Sequence, residues 1–145
     1  MYQLVFNINI GEVLINENST EYRLSDFRCE AESADELNYL CNDSFVDFDN
    51  EKIFLIDVDF INEKFKLNMI YNQEKLRLIN LKVLYENYAD FDSILENIIK
   101  YFDETEFSNK QVDGVKPYIE YFYNWGVVSV YSDQSLNVYF SIRWI

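Results

Sequence analysis

A strict two-residue alternation of apolar and polar side chains limits what this chain can fold into. In "KIFLIDVDFINEKFKLNMIYN" (Lys52–Asn72), Phe54, Ile56, Val58 and Phe60 share one side of an extended backbone. After the turn "INEK", Phe65, Leu67, Met69 and Tyr71 do the same. A helix would scatter these side chains around its axis, whereas a strand gathers them on one face. Pairing Phe60 with Phe65 sets Asp59 across from Lys66 on the polar face, so charge and hydrophobic register agree on a hairpin.

The same period recurs along the chain. Tyr2, Leu4, Phe6, Ile8 and Ile10 alternate with Gln3, Asn7 and Asn9 near the N-terminus. "LRLINLKVLYEN" adds a strand with Ile79, Leu81, Val83 and Tyr85 on one face. Toward the C-terminus "GVVSVYS" and "SLNVYFSIRWI" flank the polar turn "SDQS", with Leu136, Val138, Phe140, Ile142 and Trp144 in line. Two segments carry the helical period instead. "SADELNYLC" opens on Ser33 as N-cap with Glu36 three residues on, a capping box, and Asp35 favoured by the helix dipole. "DFDSILENIIKYFDE" aligns Ile94, Leu95, Ile98, Ile99 and Phe102 in one stripe. "KPYIEYFYNW" suits either a short helix or a strand.

Three glycines and one proline leave nothing that reads as a linker, and 145 residues can bury a core without disulfide or metal. The expectation is a single domain over residues 1–145, of α+β class: a mainly antiparallel sheet with one or two helices packed on one face.

The chemistry the chain lacks is as informative. It contains no histidine, which removes Ser-His-Asp and Cys-His catalysis and histidine-ligated zinc. Gly11, Gly114 and Gly126 stand far apart, so no phosphate-cradling loop forms. Cys29 and Cys41 match no redox or zinc spacing and read as two reduced, partly buried thiols, a bridge across a short loop-helix segment being the alternative. "DFDNE" (Asp47–Glu51) begins like a calcium loop, but Lys52 occupies the position that needs glycine and Val58 the one that needs a bidentate glutamate. Asp57 and Asp59 share a strand face, a spacing open to magnesium or glycosidase chemistry; with Lys66 across the hairpin they read instead as a solvated face. No catalytic residue, metal site or cofactor is expected, and the chain is not read as an enzyme. "MYQLVFNINIGE" lacks the basic start of a signal peptide and no apolar run reaches eighteen residues, so the expected location is cytoplasmic.

Charge is what remains. The chain carries a formal charge of −14, and "CEAESADELNYLCNDSFVDFDNE" (Cys29–Glu51) holds Glu30, Glu32, Asp35, Glu36, Asp43, Asp47, Asp49 and Glu51 without one Lys or Arg. A smaller cluster sits at Asp103, Glu104 and Glu106. Such charge repels nucleic acid and anionic membranes and attracts a basic partner, whose association it accelerates. A run of acids is also a common device for solubility. Tyr118, Tyr121, Phe122, Tyr123 and Trp125 form an aromatic run that reads as core, with a carbohydrate platform or a protein-contact patch as the alternatives and Tyr121, Tyr123 and Trp125 as contact anchors if exposed.

In size, acidity, α+β pattern and Asn/Ile/Tyr-rich composition, and in "CEAESADELNYLCNDSFVDFDNE", "YFDETE" and "YIEYFYNW", the chain resembles the immunity proteins of bacterial polymorphic and contact-dependent-inhibition toxin systems. The resemblance implies a cytoplasmic antitoxin that binds one cognate toxin, most often a nuclease, and covers its active site or an adjacent exosite. The partner surface expected is Glu30, Glu32, Asp35, Glu36, Asp47, Asp49 and Glu51, with Tyr121, Tyr123 and Trp125. The alternatives are a phage-type DNA mimic that blocks a defence nuclease, and a non-catalytic structural or adaptor domain.

Overall fold

The computed structural model describes residues 2–17, 20–23, 45–48, 51–72, 75–84, 90–114 and 118–145. In chain order these residues form β1 (Tyr2–Asn7), β2 (Glu12–Glu17), β3 (Thr20–Arg23), β4 (Phe45–Phe48), β5 (Glu51–Phe60), β6 (Glu63–Asn72) and β7 (Lys75–Val83). The helix α1 (Phe91–Asp103) follows, then β8 (Asn109–Asp113), β9 (Tyr118–Tyr123), β10 (Gly126–Ser132) and β11 (Val138–Trp144). One sheet joins the strands in the order β3-β2-β1-β5-β6-β7-β11-β10-β9-β8, with β4 paired to β5 off that path. All pairings are antiparallel except a two-residue parallel contact, Tyr2 beside Val58 and Gln3 beside Asp59. The fold is therefore a β-rich, mainly antiparallel α+β arrangement, and α1 is its one helix among the described residues. The helix expected over "SADELNYLC", both cysteines and Tyr85 lie outside the described residues.

The β5–β6 hairpin shows why the sequence pattern fixes faces better than turns. Its loop is two residues long: Ile61 and Asn62 both have positive φ, 47° and 62°, which gives the mirror-image turn whose twist matches paired strands. Glu63 and Lys64 therefore begin β6 rather than belonging to the turn. The expected pairing of Phe60 with Phe65 and Asp59 with Lys66 shifts by two residues. Val58 faces Phe65, Asp59 faces Lys64 and Asp57 faces Lys66, the last pair 3.7 Å apart. A two-residue shift preserves side-chain parity, so Val58, Phe60, Phe65, Leu67 and Met69 still point into the core.

Two other alternations end sooner than the sequence suggests. β1 stops at Asn7, whose carbonyl accepts from the Ile10 and Gly11 amides, and Ile10 is 60% exposed in the turn that follows. Leu136 sits in the β10–β11 turn with φ at 61°. There the Asp133 carboxylate accepts from the backbone amides of Ser135 and Asn137, each at 2.9 Å. "KPYIEYFYNW" resolves as strand β9, because Ile119, Tyr121 and Tyr123 alternate inward.

The sheet curls until its distant parts touch. The Trp125 indole, in the β9–β10 turn, donates to the Ile8 carbonyl at 2.6 Å, and the Trp144 indole at the end of β11 donates to the Gly11 carbonyl at 2.7 Å. Phe6 of β1 meets Trp125 edge to face at 5.6 Å. Along the curl, α1 buries Ile94, Leu95, Ile98 and Phe102. The Phe102 ring contacts Phe6 of β1, Tyr121 of β9 and Phe140 of β11 at 5.4–6.5 Å, and Tyr101 contacts Phe60 of β5 at 5.1 Å. Among the described residues no helix is long and apolar enough to cross a membrane.

Candidate functional site

The strand period of β9 decides the fate of the aromatic run. Tyr121 is 0% exposed; its hydroxyl donates to the Asp103 carboxylate at 2.8 Å, which Lys110 also reaches at 2.7 Å. Tyr123 is 7% exposed, and its hydroxyl shares a 2.7 Å hydrogen bond with Thr105. Trp125 stacks on Tyr123 at 5.2 Å and spends its indole N–H on Ile8. The condition for these three to serve as anchors was exposure, and Tyr121 and Tyr123 fail it: they are core, and Trp125 clamps the two tips of the sheet together. Burial pushes the Tyr121 hydroxyl well above its ordinary pKa, and the Asp103 hydrogen bond adds to the rise. Burial likewise pushes Tyr123 up to about 12 against the opposing effect of Thr105.

Of the expected acidic contacts, Glu30, Glu32, Asp35, Glu36 and Asp49 lie outside the described residues. Asp47 and Glu51 are placed by backbone alone, Asp47 in β4 opposite Lys52 and Glu51 in β5 opposite Phe48 and Asn72.

Charge elsewhere is unevenly distributed. Around the solvent side of α1 the exposed carboxylates are Asp90, Asp92, Glu96, Asp103, Glu104 and Glu106, six against the two cations Lys100 and Lys110. Lys110 is already committed to Asp103. Asp90 and Asp92 sit where the helix N-terminus favours negative charge. Glu63 lies nearby, its pKa raised by burial and then by the charge of Asp90. On the outward face of the sheet, by contrast, cations are interspersed with the carboxylates. Lys64, Lys66, Lys82 and Arg143 stand with Glu12, Glu21, Asp57, Asp59, Asp113 and Glu120, and Asp57 pairs with Lys66.

That outward face carries a feature missing from the sequence reading. Tyr118, Tyr131 and Tyr139 form a ladder across β9, β10 and β11, with ring centroids 5.8 and 5.1 Å apart. Beside it, Ser129 and Ser141 oppose one another on β10 and β11, and two small residues flanked by large ones leave a hollow of about 530 Å³. The signal was present in "VVSVYS" and "YFSIRW", where a serine interrupts each strand at an outward position. A second hollow of about 460 Å³, lined by Gln3, Asp59, Asn62 and Lys64 among others, lies where β1 parts from β5. Among the described residues no three Cys, Asp or Glu side chains gather to hold a metal ion.

No family model matches the chain, and no curated protein or solved structure is similar to it.

Proposed function

We propose that the protein is an acidic inhibitory binding protein of the immunity type. It neutralises a cognate bacterial toxin, a nuclease in the leading case, by covering a basic surface at or beside the active site. The observation that carries this reading is the uneven distribution of charge: an outward sheet face where cations and carboxylates mix, a carboxylate-rich helix side, and eight carboxylates between Cys29 and Glu51 with no Lys or Arg in that stretch, in a chain of net −14. A solubilising surface gains nothing from such separation, whereas a surface shaped for a basic partner does. In this reading a single α+β domain, its helix covering one face of the sheet, presents acids where the toxin presents lysines and arginines. Its own side chains make and break no bond. Coulombic steering brings the partners together, and a smaller set of well-packed contacts holds them.

The test is to produce the chain with the product of the adjoining gene and assay a one-to-one complex alongside the toxin's activity. A stoichiometric complex that abolishes toxicity supports the proposal. A partner without basic surface, or a toxin left active in the complex, overturns it. Within that complex, reversing Asp47, Asp49 and Glu51 to lysine is expected to slow association roughly tenfold at low salt and flatten its ionic-strength dependence. Stopped-flow mixing at several salt concentrations reads both effects.

A further inference from the structure

The hollow on the outward face of β10 and β11 gathers several hydrogen-bonding groups that have no protein partner, although the Tyr131 hydroxyl on its wall bonds Asn80. Asp133, Asp103, Thr105, Trp125 and Trp144 all have protein partners. The hydroxyls of Ser129 and Ser141 on the floor of the hollow have none among the described residues, nor does the hydroxyl of Tyr118 on its wall. Arg143, the one charged residue of the lining, is exposed, and among the described residues no carboxylate lies within ion-pairing distance of it. In a chain with 26 acidic and 12 basic residues, an arginine without a carboxylate is the less expected outcome. Across the strand from Ser141, the Asn80 side chain bonds the Tyr131 hydroxyl, and its amide oxygen, like those of Asn16 and Asn68, is buried without a partner.

The walls add a shape. Tyr118 and Tyr131 bound the hollow on one side and Leu78 on another, and Arg143 lies beside Leu78 in register. Apolar walls, hydroxyls on the floor and one guanidinium at the margin match the usual make-up of a small-molecule site, and the volume lies within the range of roughly 300–1,000 Å³ for such sites. A guanidinium fork binds a carboxylate or a phosphate in two parallel hydrogen bonds. We infer that this hollow binds a small aromatic oxyanion, its carboxylate or phosphate on Arg143, its ring between the tyrosines and Leu78, and its remaining oxygens on Ser129 and Ser141. Glu120, directly across from Ser129 on β9, is the opposing charge that keeps the site weak and selective.

The site is independent of any protein partner, and its test uses the chain alone. Phenyl phosphate and benzoate are titrated separately into isotopically labelled protein, with inorganic phosphate and phenol as ligands that lack the ring or the charge. Expected are amide shifts confined to Ser129, Tyr131, Ser141 and Arg143, with a dissociation constant on the order of 1 mM for the preferred aromatic anion and weaker binding of phosphate and phenol. Arg143→Gln should weaken binding at least about tenfold, the scale of a lost charge-assisted hydrogen bond, and Glu120→Gln should strengthen it about two- to threefold. Arg143 is exposed, so the variant keeps its fold, which far-ultraviolet circular dichroism verifies. Shifts that are absent or spread over the surface, or an Arg143→Gln protein that binds as the parent does, would overturn the site.

Discussion

Asp103 sits at the C-terminal end of α1 and is held by two donors at once, the Tyr121 hydroxyl and the Lys110 ammonium. Partial burial acts to raise its pKa, yet the two hydrogen bonds and the lysine's charge carry it below the ordinary carboxylate value. A carboxyl whose pKa is lower in the folded state contributes stability above its unfolded value of about 3.9, and loses it as pH falls through the folded value. Asp103→Asn is therefore expected to cost about 1 kcal/mol at neutral pH, discounted because the carboxylate is part-exposed. The difference from the parent should close in acid; urea denaturation at pH 7 and pH 3 measures both. Gly11 is constrained differently. Its φ is 71°, and a Cβ there would run into the Trp125 ring, so Gly11→Ala combines backbone strain with a steric clash. A loss of about 2 kcal/mol or more is expected in the same assay.

At the scale of elements, α1 organises the curl of the sheet through one side chain. Phe102 touches rings from β9 and β11 and from β1, which lies on the far side of β5, β6 and β7 in the sheet order, and it is completely buried. Phe102→Ala should cost about 3–5 kcal/mol, the usual penalty for emptying a core phenylalanine, and calorimetry would show a correspondingly lower midpoint. How much of this was legible follows from which physics is local. Ile94, Leu95, Ile98 and Phe102 were readable as a stripe, and the inward faces of β6, β7 and β11 as alternations, because side-chain parity is written residue by residue. The register of β5 on β6 was misjudged by two because the Ile61–Asn62 turn is set by backbone twist, which the polar letters "NEK" conceal. Tyr121 and Tyr123 could not be sorted from surface anchors by sequence alone, since β9 fits two secondary structures and only its pairing with β8 and β10 turns those rings inward. The hollow at Ser129 and Ser141 shows in the sequence only as a serine interrupting each strand, and the two become one floor only when β10 and β11 align.

For the whole molecule, a charge of −14 on a chain of this size is a standing repulsion that works against the folded state. Added salt screens it. Between 20 mM and 300 mM sodium chloride the thermal midpoint of the isolated protein is expected to rise by roughly 3 °C, corresponding to about 1 kcal/mol for a domain of this length. A midpoint that falls or stays level would show that the carboxylates are already compensated. The same salt should weaken a complex with a basic partner, so stability of the free protein and affinity of the pair move in opposite directions as ionic strength rises. That divergence separates a binding surface from a merely soluble one, which has only the first effect.

The meeting of Trp125 with Ile8 and of Trp144 with Gly11 also sets a timetable. These bonds join residues 117 and 133 positions apart, so the first turn of the sheet stays open until a ribosome has added more than a hundred further residues. Closing such long loops late slows assembly. The newborn chain waits for its two tryptophans.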